Sequence, residues 1–277
     1  MAIPLYLTPC TLYLNHFRVL LLLQLPCLER KNMLSQSAPP PEKRLQLSDT
    51  FNFLCHKELP CFNNCCRNKH LPLTPYDVLR LKNGLNIPSD DFLTQYTVYS
   101  IDPDSGFPVI SLNMGGEPDK ACPFVSSNGC RVYNDRPTAC RLYPLGRISG
   151  RSSEKADWEG FFFMLDTPHC LGKMEQKEWR IREWQDDQGT LPYIRMSDSM
   201  LDILFHPKKD RKKPLDDRHL QKIMVTCYNL DVFREFVFNT RFLELYEVDG
   251  ETRSKIKNDD TALLNLGFAY LRKTLFG

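Results

Sequence analysis

The chain has no C-x2-C knuckle, no glycine-rich phosphate loop, no Gly-x-Ser-x-Gly elbow and no paired-carboxylate motif. Those absences remove the tidy zinc ribbon, the P-loop nucleotide site and the serine-hydrolase elbow from consideration. A glycine-rich methyl-donor loop after a strand is missing as well. Neither sign of charge dominates: 36 basic residues stand against 34 acidic ones, a net charge of +2. Bulk charge therefore gives no basis for binding nucleic acid or a membrane surface. Glycine is sparse, 13 residues against 20 prolines, which points to fixed turns rather than flexible ones. No internal repeat is present.

Long apolar runs are also lacking. The nearest approach, Phe17 to Leu25, is interrupted by Arg18 and Gln24 and is too short to span a bilayer. It has neither a basic leader region nor a small-residue cleavage site, and Pro26-Cys27 makes no convincing lipoprotein site. Residues 1–32 read as a doubtful leader: sequence upstream of a start at Met33, a weak export signal, or a structural extension. A cytoplasmic location follows from the first reading, an exported one from the second. Residues 33–50 contain Ala38-Pro39-Pro40-Pro41 and read as a proline-rich linker.

What the chain does have is cysteine. Eight of its eleven lie between Cys55 and Cys170: Cys55, Cys61, Cys65, Cys66, Cys122, Cys130, Cys140 and Cys170. Thiolates are strong, soft ligands for zinc and iron–sulfur clusters, so these eight are the candidate metal ligands. Three readings stay open on spacing: two four-thiolate zinc sites, a cubane iron–sulfur (4Fe–4S) cluster, or one cluster with the remaining thiols packed or redox-active. A disulfide framework in an exported chain is the competing reading. It is disfavoured because adjacent cysteines such as Cys65 and Cys66 rarely bridge each other. His169, next to Cys170, is a possible ligand, and His56 and His70 are weaker ones. Cys227 sits on an apolar helical stripe and reads as core, while Cys10 and Cys27 fall in the doubtful leader.

The flanks suit such a centre. Arg131, Arg136 and Arg141 beside Cys130 and Cys140 could offset thiolate charge, or could be surface residues at a turn. Pro123, Pro137 and Pro144 restrict the ligand loops, and Asn128-Gly129 marks a turn before Cys130. The basic run Lys208 to Lys213 reads as a solvated loop.

The elements around these motifs indicate an α+β fold: an irregular cysteine-rich core with short strands, then a helical C-terminal layer. Thr74-Pro75 starts a helix that Gly84 should stop, and Ser89 caps another. Phe107–Leu112 and Gly160–Leu165 read as strands. Charges from Lys173 to Asp186 recur at helical spacing, and Ser197 to Phe205 reads as a helix ended by Pro207. Leu220, Ile223, Met224 and Cys227, continued by Phe233, Phe236 and Val237, form an apolar stripe, as do Leu263, Leu264, Gly267, Phe268, Leu271 and Leu275. The domain scheme is a cysteine-cluster segment over 51–172 and a helical region over 173–277.

The segments Cys61-Phe62-Asn63-Asn64-Cys65-Cys66, Leu73 to Arg80, Ala121-Cys122-Pro123-Phe124, Gly129 to Tyr133, Arg136 to Pro144 and Cys170-Leu171-Gly172 together resemble the YkgJ-type cysteine-cluster family. The resemblance spans roughly residues 51–172. It implies a zinc- or iron-chelating role without a defined reaction. The family also includes the flagellin lysine N-methylase (FliB), which opens on a similar cysteine arrangement. That relative implies an alternative activity, methyl transfer from S-adenosylmethionine to a protein lysine. No catalytic residue is identified for it, the radical-enzyme C-x3-C-x2-C signature is missing, and a protein substrate or partner is unknown.

Overall fold

A computed structural model describes residues 43–277 apart from 104, 117, 152–157 and 210–214. The expectations placed on residues 1–42 and on most of the basic run 208–213 lie outside the described residues.

The strands form small antiparallel sheets. β1 (Thr50–Asn52) pairs with β9 (Glu178–Arg180), placing Phe51 opposite Trp179. β2 (Pro72–Leu73), β4 (Pro108–Leu112) and β3 (Thr97–Ile101) form a sheet in that order. β5 (Val125–Ser126) and β6 (Gly129–Cys130) make a short hairpin, and β7 (Leu145–Arg151) pairs with β8 (Trp158–Met164). Both sequence-predicted strands are present. Ordered pairing already begins at Leu45, which bridges Phe162.

Among the described residues the remaining elements are mostly helices. α1 (Pro75–Leu85), α2 (Ser89–Tyr96) and α3 (Thr138–Leu142) lie among the strands. Behind them come α4 (Ile181–Asp187), α5 (Leu191–Leu204), α6 (Asp217–Ile223), α7 (Leu230–Asn239), α8 (Phe242–Leu245), α9 (Gly250–Lys255) and α10 (Asp260–Phe276). The architecture is α+β, with helices concentrated toward the C-terminus.

Several boundaries differ from the sequence expectation, each for a physical reason. α1 opens on a reciprocal cap, Asp77 N donating to Thr74 Oγ1 (3.1 Å) and Thr74 N to Asp77 Oδ2 (2.8 Å). Gly84 does not stop it; Asn86 does, in a left-handed conformation at φ 54°. Gly84 instead makes room for Asp135, whose carboxylate would lie 2.5 Å from any added Cβ and which pairs with Arg80. Ser89 does not cap α2 with its side chain. Its backbone N–H is taken by Asp231 Oδ2 of α7 at 2.6 Å. The charged stretch from Lys173 is helical only from Ile181. Before that, Trp179 is drawn into β9, where its Nε1 donates to Phe53 O at 2.9 Å. The stripe from Leu220 to Val237 is interrupted by a π-type turn, Met224–Tyr228, before α7 begins.

Two apolar cores result. The smaller gathers Phe51, Phe53, Leu142, Leu145, Phe162, Ile181 and Trp184. The larger joins α1 and the β2–β4–β3 sheet to α5, α7 and α10, so its members come from both sides of position 172. Cys227 is fully buried in it, as its stripe predicts.

An ion-pair network pins α1 to the C-terminal helices. Lys82 Nζ, almost fully buried, meets Asp260 Oδ2 at 3.1 Å and Asp231 Oδ1 at 3.4 Å, while Arg234 Nη2 meets Asp260 Oδ1 at 2.5 Å. Burial raises the pKa of Asp260, but the hydrogen bonds from Arg234 and Asn83 and the charge of Lys82 prevail and leave it lowered. Asp231 is lowered in the same way, chiefly by Ser89 N–H and Lys82. Carboxyls depressed in the folded state stabilise it above their unfolded pKa of about 3.9 and lose that contribution as pH falls through the folded value. Asp260→Asn is therefore expected to destabilise the protein at pH 7 more than at pH 3. Urea unfolding of both proteins across that range checks this; a pH-independent difference would contradict it.

Candidate metal centre

Four separated segments supply the eight thiols, and local backbone chemistry brings each to the same region. In the first, no residue from Leu54 to Pro72 is buried, so apolar packing does not shape it. It is built from tight turns instead: Asn64 N donates to Cys61 O and Cys66 N to Asn63 O, both at 3.0 Å. Asn63 takes a left-handed φ of 68°, which Asn tolerates better than most residues, and its side chain donates to Ser126 O at 2.9 Å. The following 3-10 turn, Asn64–Cys66, carries the adjacent cysteines. Successive side chains of such a turn point roughly 120° apart. Cys65 Sγ and Cys66 Sγ are nonetheless 4.0 Å apart.

The second segment is stitched to the first. Cys122 N donates to Cys66 O at 2.8 Å, and Arg67 bridges Ala121. The β5–β6 hairpin then turns at Gly129, φ 105°, a value that favours glycine, and sets Cys130 opposite Val125. Val125 N in turn donates to Cys122 O at 3.1 Å. The Asn128-Gly129 turn thus does what its sequence suggests.

Cys140 is carried by α3, and a residue outside the sequence-predicted site anchors that helix. Asp77 Oδ1 accepts from Thr138 N and from Thr138 Oγ1, each at 2.7 Å, while its other oxygen caps α1. Only 1% of Asp77 is exposed. Burial raises its carboxyl pKa against those hydrogen bonds. The sequence reading stopped at the Thr74-Pro75 helix start and assigned Asp77, three residues on, no role.

Cys170 precedes the 3-10 turn Leu171–Met174. Gly172 lets that turn press on the first segment: Leu54 N donates to Gly172 O at 3.0 Å, and an added Cβ would meet Leu54 O at 2.8 Å. Leu171 N donates to Cys61 Sγ at 3.3 Å. Cys55, Cys61, Cys65 and Cys170 then line one small pocket with Tyr143, His169 and Gly172. Its open volume of about 20 Å³ is room for roughly one water-sized particle. His169 alone of the three histidines considered lines this pocket. His56 is held by Glu58 at 2.7 Å, and His70 by Ser111 Oγ at 3.1 Å.

All nine described cysteines are free thiols, so the disulfide reading gains no support. Among the described residues, no three His, Cys, Asp or Glu side chains already converge on one ion position. The donors fit a zinc or iron centre in kind and number, and closing the shell requires the sulfurs to turn inward. The thiols already feel one another. The Cys66 thiol donates to Cys65 and holds its pKa down to about 7, and by the same bond Cys66 is pushed up. Burial, then Cys65, Cys61 and Cys170, push Cys55 up to about 11. Burial, then Cys122, Cys130 and Cys65, raise Cys140. Cys55, Cys65 and Cys140 keep solvent access, and the neighbouring sulfurs oppose ionisation of Cys55 and Cys140. A bound cation would relieve it and displace the protons.

Two guanidiniums supply positive charge beside these sulfurs. Arg136 and Arg141 are 7% and 8% exposed, and among the described residues neither pairs with a carboxylate. Arg141 donates to the carbonyls of Arg136 (3.1 Å), Gln188 (2.6 Å) and Asn134, and Arg136 donates to Tyr133 O (2.5 Å) and to the Gln188 side chain. Burial and the charge of Arg141 lower the pKa of Arg136, while Tyr133, Cys140 and Cys130 act against that. A buried guanidinium without a carboxylate favours another anion nearby, and metal-bound thiolates at Cys130 and Cys140 would provide it. Arg131 differs: it is exposed and ties Pro123 O at 2.7 Å.

Residues 54–170 match the family CxxCxxCC, described as "Putative zinc- or iron-chelating domain". The model of that YkgJ-type family covers this segment. The match covers all eight clustered cysteines and less than half of the chain. Neither the curated proteins nor the solved structures contain a match. That description supports metal binding by this segment in general. No helix among the described residues is long and apolar enough to cross a membrane.

Proposed function

We propose that the protein holds zinc or iron–sulfur centres through Cys55, Cys61, Cys65, Cys66, Cys122, Cys130, Cys140 and Cys170. The observation that carries this reading is the gathering of eight unbridged thiols from four segments, beside two buried arginines that pair with no carboxylate among the described residues. Four thiolates on a divalent ion, or on a cubane in its common oxidised state, leave a net negative charge that such arginines offset. The pocket wall also contains Tyr143, whose hydroxyl lies 3.2 Å from Thr167 Oγ1 and whose pKa is raised by burial and by bonding to Cys170. With the Thr167 hydroxyl donating to it, the Tyr143 proton would be directed to the Cys170 thiolate, orienting that ligand and tempering its charge.

The S-adenosylmethionine-dependent methyltransferase reading has no observation in its favour. A separate open cleft of about 480 Å³ is lined by Lys82, Asn83, Asn86, Ile87, Pro88 and Asp231. It contains no cysteine, and Lys82 is already neutralised by two carboxylates.

Protein purified without air is expected to carry metal, read as zinc, iron and acid-labile sulfide per chain. Iron with near-equal sulfide identifies a cluster, and zinc without sulfide identifies a zinc-thiolate centre. Protein with neither metal overturns the proposal.

A further inference from the structure

We infer that the eight cysteines divide into two four-thiolate centres, Cys55/Cys61/Cys65/Cys170 and Cys66/Cys122/Cys130/Cys140, which meet at the Cys65–Cys66 peptide. This rests on the metal-binding reading above and assigns each cysteine to a site.

The first set is defined by its pocket. Those four cysteines are the cysteines of one cavity wall, closed by the packing of the Gly172 turn on Leu54 and by the bond from Leu171 N to Cys61 Sγ. Cys66, Cys122, Cys130 and Cys140 are not on that wall. The second set is defined by its backbone: Cys66 O is bonded to Cys122 N, and the hairpin bonded to Cys122 O carries Cys130. Cys140, carried by α3 and likewise off the first wall, completes this set of four. The junction follows from the pocket wall: Cys65 belongs to it and its neighbour Cys66 does not, although their sulfurs lie 4.0 Å apart.

The surroundings make the two sites unequal. Two members of the first, Cys55 and Cys65, are exposed, against Cys140 alone in the second. The second lies beside Arg136, whose positive charge bears on Cys130 and Cys140, and Arg131, whose charge bears on Cys122 and Cys130. Metal should therefore leave the first site sooner.

The test uses the full chain purified without air, with elemental analysis and circular dichroism. The double variants Cys55→Ser/Cys170→Ser and Cys122→Ser/Cys130→Ser are each expected to keep half of the wild-type metal with helical content unchanged. Loss of all metal from either variant with its helices intact, or full retention by either, would overturn the partition. Should a variant fail to fold, the wild type decides alone. Release to a chromogenic chelator is expected in two phases of equal amplitude, and a single phase overturns the division. Wild-type protein without any metal would refute the metal-binding reading itself, an outcome distinct from all of these.

Discussion

Stripping the metal from the native protein is expected to open residues 54–72 and 113–123 to hydrogen exchange while α1, α5, α7 and α10 stay protected. The reason is an imbalance in how the two parts are held. Among the described residues of these two stretches none is buried, whereas the helices contribute Leu81, Ile203, Phe233, Val237, Leu263, Leu264 and Leu271, all at 0% exposure. Most backbone bonds of 54–66 close short turns, such as Leu59 N to His56 O and Phe62 N to Leu59 O. Such turns confer little order without a partner to close on. Binding that requires the folded ligand loops stabilises them by RT ln(1 + [L]/Kd), about 4 kcal/mol when free metal is 1,000-fold above Kd. That corresponds to about a thousandfold in exchange rate. Mass-spectrometric exchange of native and chelator-treated protein measures it peptide by peptide. Equal loss of protection across the helical core would show that metal and core fold as one unit.

Asp77→Ala is expected to be among the most destabilising single substitutions outside the cysteines and to weaken metal retention as well. The carboxylate accepts three hydrogen bonds from two helix starts, Thr74 N in α1 and Thr138 N and Oγ1 in α3. Truncation leaves those donors without a partner in a site that is 1% exposed. Lost caps cost about 1 kcal/mol each, and unsatisfied buried donors about 1–3 kcal/mol. Relief of carboxylate burial offsets part of this, which leaves about 3 kcal/mol as the expected loss. Denaturant unfolding gives that number. The effect on metal follows from position, because Cys140 lies two residues beyond Thr138 in α3. Chelator release from the variant should be faster than from wild type under conditions where both remain folded. Unchanged release would reduce Asp77 to a stability role alone.

How much of this was legible in the sequence depends on the range of the interaction. Spacing and chemistry together pointed to the eight cysteines, because ligand residues within turns leave short, dense patterns. Apolar periodicity located α10 and most of α5, and the β-rich runs located β4 and β8. Interactions between distant segments were not legible. Nothing near Ser89 announces that Asp231 will take its N–H, and nothing near Gly84 announces that Asp135 will occupy the space beside it. Trp179 was hidden within a charged stretch whose helical spacing competed with its pairing to Phe51 and Phe53. The arginines flanking the cysteines were visible. Which of them are buried was not, because burial of Arg136 and Arg141 depends on Gln188, some fifty residues away.

The position of α1, between Cys66 and Cys122 along the chain and inside the larger apolar core, also sets the order of assembly. Bringing thiols together across more than a hundred residues of free chain would carry a loop-closure penalty that a single ion would have to overcome. Here the helices can condense first and fold the intervening polypeptide away. If the helices keep their protection without metal, as expected above, the ligands are delivered to one neighbourhood by a scaffold that does not itself require it. Maturation can accordingly be a late event, carried out on a chain that has left the ribosome with its helical body in place. The same chain can lose and regain its inorganic cargo without starting to fold afresh.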